Sequence, residues 1–109
     1  MKRIVILLLP AMVFVSQALA GEIFGTIKAD AKGVSKGTKV DIISPKKTYS
    51  GETETYGSYR VYVAEKGKCT LKVHYNKQMP SLEIFSYDKS TRYDLNIEGK
   101  DGQYSLKRK

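Results

Sequence analysis

The chain has 109 residues, with 19 Lys and Arg against 11 Asp and Glu and a formal net charge of +8. Its single Cys excludes an internal disulfide. The size suits one domain with a modest core, and excludes a large catalytic assembly of several domains.

Residues 1–20 read as a secretory signal peptide. Lys2 and Arg3 form a basic start, Ile4–Leu9 and Ala11–Val15 form an apolar run broken by Pro10, and Ala18-Leu19-Ala20 is a small-x-small cleavage site. The run is shorter than the roughly 20 apolar residues of a membrane span. No Cys directly follows the cleavage site, so no lipid attachment is expected there. Loss of Lys2 and Arg3 leaves seventeen basic side chains against eleven acidic ones, a net charge of +6 for the finished chain. That chain is expected to be secreted or periplasmic, with no integral membrane segment.

The remainder is patterned for strands. In Glu22–Lys28, Ile23, Gly25 and Ile27 share one face, and Phe24, Thr26 and Lys28 the other. Gly25 within a strand signals a close backbone approach or a bulge. Residues 30–37 form a loop. Thr38–Ser44 places Val40 and Ile42 in phase and stops at Pro45, which cannot donate to a ladder. Thr48–Thr55 is polar, with Gly51 inside it, and suits a sheet edge.

Residues 55–73 carry the strongest pattern. Tyr59, Val61 and Val63 alternate with Arg60, Tyr62 and Ala64, and Cys69, Leu71, Val73 and Tyr75 alternate with Thr70, Lys72, His74 and Asn76. With Glu65-Lys66-Gly67-Lys68 between them they predict a hairpin at the centre of the fold. In Ser81–Tyr87, Leu82 and Ile84 oppose Phe85 and Tyr87. In Thr91–Ile97, Tyr93, Leu95 and Ile97 point inward, and Arg92, Asp94 and Asn96 outward. Residues 99–109 form a basic tail, an extended arm able to add an edge strand through Tyr104 and Leu106. Seven short strands joined by Gly and Pro turns predict an all-β, two-sheet Greek-key sandwich over residues 21–98.

The ordered segments Gly21–Ile27, Val34–Ile42, Thr55–Val61 and Gly67–Val73 resemble the carboxypeptidase regulatory-like domains, in the patterns G-x-I-x-G-x-V, L-x-G-A-x-V-x-I, T-x-x-G-x-Y-x-F and G-x-Y-x-L-x-V. Cys69 stands where the last pattern usually has Tyr. The resemblance implies a prealbumin-like (transthyretin-like) seven-stranded sandwich. It implies no peptidase activity, because in that family these domains accompany catalytic or surface proteins.

No enzyme chemistry emerges from the residues. His74 is the only histidine. It stands five residues from Cys69 on one strand and so on the opposite face, which separates a Cys–His pair and leaves zinc without a ligand set. The phase of Cys69 makes it a buried apolar residue rather than a reactive thiol. No phosphate-binding loop or G-x-S-x-G elbow is present. A Lys–Asn or Lys–Asp isopeptide bond, as in Gram-positive adhesin sandwiches that the fold would resemble, would draw on Lys28 with Asn96 or Asp94. All three fall on solvent-facing positions, whereas the reaction needs a buried lysine. No cofactor and no metal are expected.

The basic surface and eight tyrosines are the remaining signals. Lysines on strand edges and turns serve solubility and block aggregation. They also attract polyanions. Tyr62, Lys72, His74, Arg92, Tyr104, Lys107, Arg108 and Lys109 form the candidate binding surface. The expected function is an exported, non-enzymatic binding module contacting a protein or an acidic polysaccharide of the cell envelope. Export argues against nucleic acid as a partner. The alternative is a structural envelope protein assembling by strand addition through its polar edge strand or its tail. The oligomeric state stays open.

Overall fold

The computed structural model describes residues 21–109, and the signal-peptide reading of residues 1–20 lies outside them. Among the described residues ten strands make two sheets that face each other: β1 (Glu22–Ala29), β2 (Lys32–Gly33), β3 (Lys39–Ile43), β4 (Thr48–Glu52), β5 (Ser58–Tyr62), β6 (Gly67–Val73), β7 (Ser81–Ser86), β8 (Thr91–Arg92), β9 (Leu95–Lys100) and β10 (Gln103–Arg108). A one-turn 3-10 helix at Thr55–Gly57 is the only helical element among the described residues. No helix there is long and apolar enough to cross a membrane.

In the first sheet β1 is central. It pairs antiparallel with β5 and β2 on one side, and parallel with β8 and β9 on the other, while β10 closes the far edge against β9. The second sheet runs β4-β3-β6-β7, all antiparallel. The inner faces interdigitate. Ile23, Ile27, Tyr59, Val61, Val63, Leu95, Ile97 and Leu106 from the first meet Val40, Ile42, Cys69, Leu71, Val73 and Ile84 from the second. These are the residues whose period-two alternation marks one apolar face per strand.

One expectation is overturned. Residues 59–64 and 69–76 do not form a hairpin: β5 pairs with β1, and β6 lies in the other sheet between β3 and β7. The segment between them crosses from sheet to sheet. Alternation specifies which face a side chain takes, and both strands satisfy it by pointing into the same core from opposite sides. The tail does not hang free. Gln103–Arg108 forms β10, in register with Leu95–Lys100, and Leu106 is buried among the core residues. The boundary drawn after Glu98 therefore falls inside β9.

The strand expected at 91–97 is interrupted. Thr26 N–H donates to Asp94 Oδ1 at 3.0 Å in place of a ladder carbonyl, and β8 and β9 flank that gap. Gly25 permits it. A Cβ on Gly25 would stand 2.1 Å from the Tyr93 carbonyl oxygen, so the close approach read from the sequence is real.

Two tyrosine hydroxyls brace the core, one within the first sheet and one across the open seam to the second. Tyr59 donates its buried hydroxyl to the Tyr93 carbonyl at 2.7 Å, and burial pushes that hydroxyl's pKa well above the ordinary tyrosine value. Tyr93 Oη accepts from Phe85 N–H and donates to Phe85 C=O, both at 3.0 Å. It therefore blocks part of the free edge of β7. Tyr93→Phe should destabilise the fold by about 1 kcal/mol, read by denaturant unfolding. It should also speed hydrogen exchange at the Phe85 amide selectively. An unchanged Phe85 exchange rate would contradict this account of the edge.

Candidate binding face

The eight residues singled out from the sequence do not form one surface. Tyr62, Arg92, Lys107 and Lys109 belong to the outer side of the first sheet, and Lys72 and His74 to the outer side of the second. Tyr104 and Arg108 share the inward phase of Leu106 at the β10 edge. The Tyr104 ring meets Tyr75 edge-on at 5.0 Å, its hydroxyl accepts from Asn76 at 2.9 Å, and its N–H donates to Gln78 Oε1 at 3.0 Å. The Arg108 guanidinium lies 4.9 Å over the Tyr93 ring. These two side chains close the seam.

On the outer face of the second sheet, cations and acids balance. Lys39, Lys68 and Lys72 stand among Glu52, Asp41 and Glu83 on adjacent strands. His74, expected to face solvent, is half-exposed and engaged: its Nε2 lies 2.8 Å from Asp41 Oδ2, and Ser50 donates to Asp41 Oδ1 at 2.6 Å. The carboxylate stands between hydroxyl and imidazole, so His74 is oriented by Asp41 while Ser50 gains no base. Cys69 is 3% exposed, and burial raises its thiol pKa, with the nearby Glu65 charge adding to the effect. A thiolate is disfavoured there.

The outer face of the first sheet is different. The register places Arg60, Phe24 and Arg92 in one row across β5, β1 and β8. Both guanidiniums lie over the Phe24 ring, at 5.1 and 5.7 Å from its centroid, a cation–π pairing that holds the cations at the surface. Arg60 pairs with Glu22 at 2.6 Å, Arg92 with Asp94 at 2.9 Å, and Lys107 with Glu98 at 3.4 Å. Lys28, Asn96 and Lys107 form the next row. Lys28 and Lys109 make no ion pair among the described residues, and they line a shallow cleft of about 590 Å³ together with Asp30, Asn96 and Glu98. With Asp30 counted, the face carries five cations against four acids, and three of those acids (Glu22, Asp94 and Glu98) are already engaged by Arg60, Arg92 and Lys107. Lys28 and Asn96 are cross-strand partners but lie on this outer side, and Asp94 is taken by Thr26 and Arg92, consistent with their expected solvent-facing phase.

Sequence reasoning left out two sets of residues. Phe24 and Arg60 belong to the basic face. An aromatic out of phase with Ile23 and Ile27 was the available signal for Phe24. Phe85 and Tyr87, 45% and 48% exposed, stack at 6.4 Å between centroids on β7 and just beyond it. The alternation places both on the face opposite Leu82 and Ile84 and marks Tyr87 as a candidate for exposure, but it does not show that the two rings stack. Among the described residues no group of three or more His, Cys, Asp or Glu is placed to hold a metal.

The acids of these faces give the fold a pH dependence. Hydrogen bonding from Arg60 holds Glu22 below its ordinary pKa, that from Ser50 holds Asp41 low with help from His74, and that from Arg92 holds Asp94 low with help from Thr26. A carboxylate depressed in the folded state stabilises it above the unfolded pKa, and that stabilisation is lost as pH falls through the folded pKa. The melting temperature should therefore drop as the pH falls below about 4, modestly because the groups are partly exposed. Asp94→Asn should flatten this acid limb. An unchanged acid limb in that variant would contradict the assignment.

No family model matches the chain, and no curated protein matches it. Solved structures do. The Bacillus anthracis TIE protein is similar with a TM-score of 0.57 at 14% identity, over 71% of this chain and 16% of that one. A Bacteroides uniformis ATCC 8492 protein, provisionally assigned to carbohydrate binding, gives 0.47 at 15% identity, over 80% of this chain and 52% of that one. This chain therefore spans a minor part of the first and about half of the second. The likeness to the TIE protein is one of fold, and the weaker one carries no functional argument.

Proposed function

We propose that the chain is an exported, non-catalytic β-sandwich module that holds an acidic polysaccharide of the cell envelope on the outer face of its first sheet. The observation that carries this reading is the pair of unpaired cations, Lys28 and Lys109, flanking a cleft beside the Arg60–Phe24–Arg92 row. An open, flat face with repeated cations and the Asn96 amide suits a chain of spaced carboxylates better than a single small molecule. Secretion or residence in the periplasm follows from the leader pattern of residues 1–20. The carboxypeptidase regulatory-like, prealbumin-like assignment belongs to the same proposal. It is supported by the two-layer arrangement, a six-stranded sheet built on β1 over the four-stranded β4-β3-β6-β7, with parallel pairing along β1 to β8 and β9.

Assembly by strand addition is less well supported. The β7 edge is engaged by Tyr93 at Phe85, the β10 edge by Gln78 at Tyr104, and β4 is tied towards β5 where Glu54 N–H donates to Ser58 C=O at 2.7 Å. Retention of the exported chain on an immobilised polyuronate, compared with a neutral glucan, tests the proposal. Retention by the polyuronate alone, lost in high salt, is expected. Equal retention by both polymers, or none by either, would overturn it, and capture only by an acidic protein would move the partner class.

A further inference from the structure

We propose that Gly21 is the N-terminal residue of the finished protein and that its ammonium is bound by Ser86 Oγ with the carbonyl oxygens of Tyr87 and Val63. Gly21 is buried, and its own carbonyl is fixed by Val63 N–H at 2.8 Å. Ser86 is 1% exposed. Its Oγ is the buried side-chain polar atom that lacks a hydrogen-bond partner among the described residues, a state that costs free energy unless something arrives to satisfy it.

The missing partner has a place to stand. A Cβ on Gly21 would lie 2.4 Å from Tyr87 O, 2.7 Å from Ser86 Oγ and 2.9 Å from Val63 O. Those separations forbid a carbon; the two longer ones fall in the N–H···O range, and the shortest needs a small retreat to do so. Rotation about the Gly21 Cα–C bond exchanges the backbone nitrogen with the Cβ position and leaves the bonded carbonyl where it is. A retreat of a few tenths of an ångström then gives N–H···O distances within about 2.7–3.2 Å. An ammonium offers three donors, and three oxygens converge on that point. Only glycine has both positions open. While Ala20 is attached, the nitrogen carries one hydrogen and offers a single donor to the three oxygens. Hydrolysis of the Ala20–Gly21 amide, expected from the leader pattern, adds water across the bond, sends the Ala20 carboxylate away with residues 1–20 and leaves the protonated amine on Gly21. On this assignment removal of the leader completes the core beside β7.

The test joins mass spectrometry to a double-mutant cycle. The full precursor is expressed with export, and the intact mass of the exported chain should correspond to a start at Gly21. A start elsewhere overturns both the cleavage site and the ammonium seat. Thermal midpoints are then compared for chains starting at Gly21 and at Ala20, each with and without the substitution Ser86→Ala. The Gly21 chain should melt about 4–8 °C above the Ala20 chain. Ser86→Ala should lower the midpoint of the Gly21 chain and leave that of the Ala20 chain unchanged or slightly raised. Equal effects of Ser86→Ala in both chains would overturn the seat while leaving the cleavage site standing.

Discussion

Gly57→Ala should destabilise the domain by about 3–5 kcal/mol, combining left-handed strain with steric overpacking. Gly57 has φ +76°, a conformation L side chains rarely adopt, and follows Tyr56, which also has a positive φ of 61°. A Cβ there would stand 2.3 Å from the Ile27 carbonyl oxygen and 2.9 Å from the Val34 nitrogen. These are the two atoms of the Val34 N–H to Ile27 hydrogen bond, 3.0 Å long. The methyl would enter that bond and push the turn away from β1, the strand on which the first sheet is built. A domain of this size has little stability to spare, so reduced yield of folded protein is expected with the loss. Denaturant unfolding measures it as a fall in midpoint at constant slope. A change below about 1 kcal/mol would mean that the turn relaxes freely and does not brace β1.

The second large effect concerns binding. Lys28→Glu combined with Lys109→Glu should weaken polyuronate binding about tenfold or more, taking roughly 1 kcal/mol for each cation lost near an anionic surface. Neither side chain holds an ion pair among the described residues, so the fold should be unaffected and the melting temperature should stay within a few degrees. Lys39→Glu combined with Lys72→Glu makes the matched change of four charge units on the charge-balanced face of the second sheet. Its effect should stay below about threefold, since nonspecific attraction falls with net charge alone. Equal losses from the two faces would show that net charge, and no particular surface, governs the interaction.

The two faces of each strand were legible because burial imposes a period of two. Ile23, Ile27, Val40, Ile42, Val61, Leu71 and Leu95 are buried as the alternation requires. Partners were not legible. The short, Gly-containing spacing between Val63 and Cys69 reads as a hairpin turn, but it spans the gap between sheets, and nothing in either strand's alternation distinguishes the two arrangements. The tail shows only Tyr104 and Leu106 in phase, too short a pattern to tell a free arm from β10. The candidate site divided for the same reason. Lys72 and Arg92 both face outward, but from opposite sheets. Phase identifies exposure, and the strand order decides which exposed residues meet. Arg60 and Phe24 come together only because β5 lies beside β1.

Chemical-shift mapping of the isotopically labelled exported chain, titrated with an oligouronate, tests the central claim most directly. The account predicts that perturbations concentrate on Phe24, Lys28, Arg60, Arg92, Asn96, Lys107 and Lys109, including the Nε–H signals of both arginines. It predicts that Lys72, His74 and the Phe85–Tyr87 pair stay still. Perturbations centred on Phe85 and Tyr87, or spread evenly over both sheets, would contradict it.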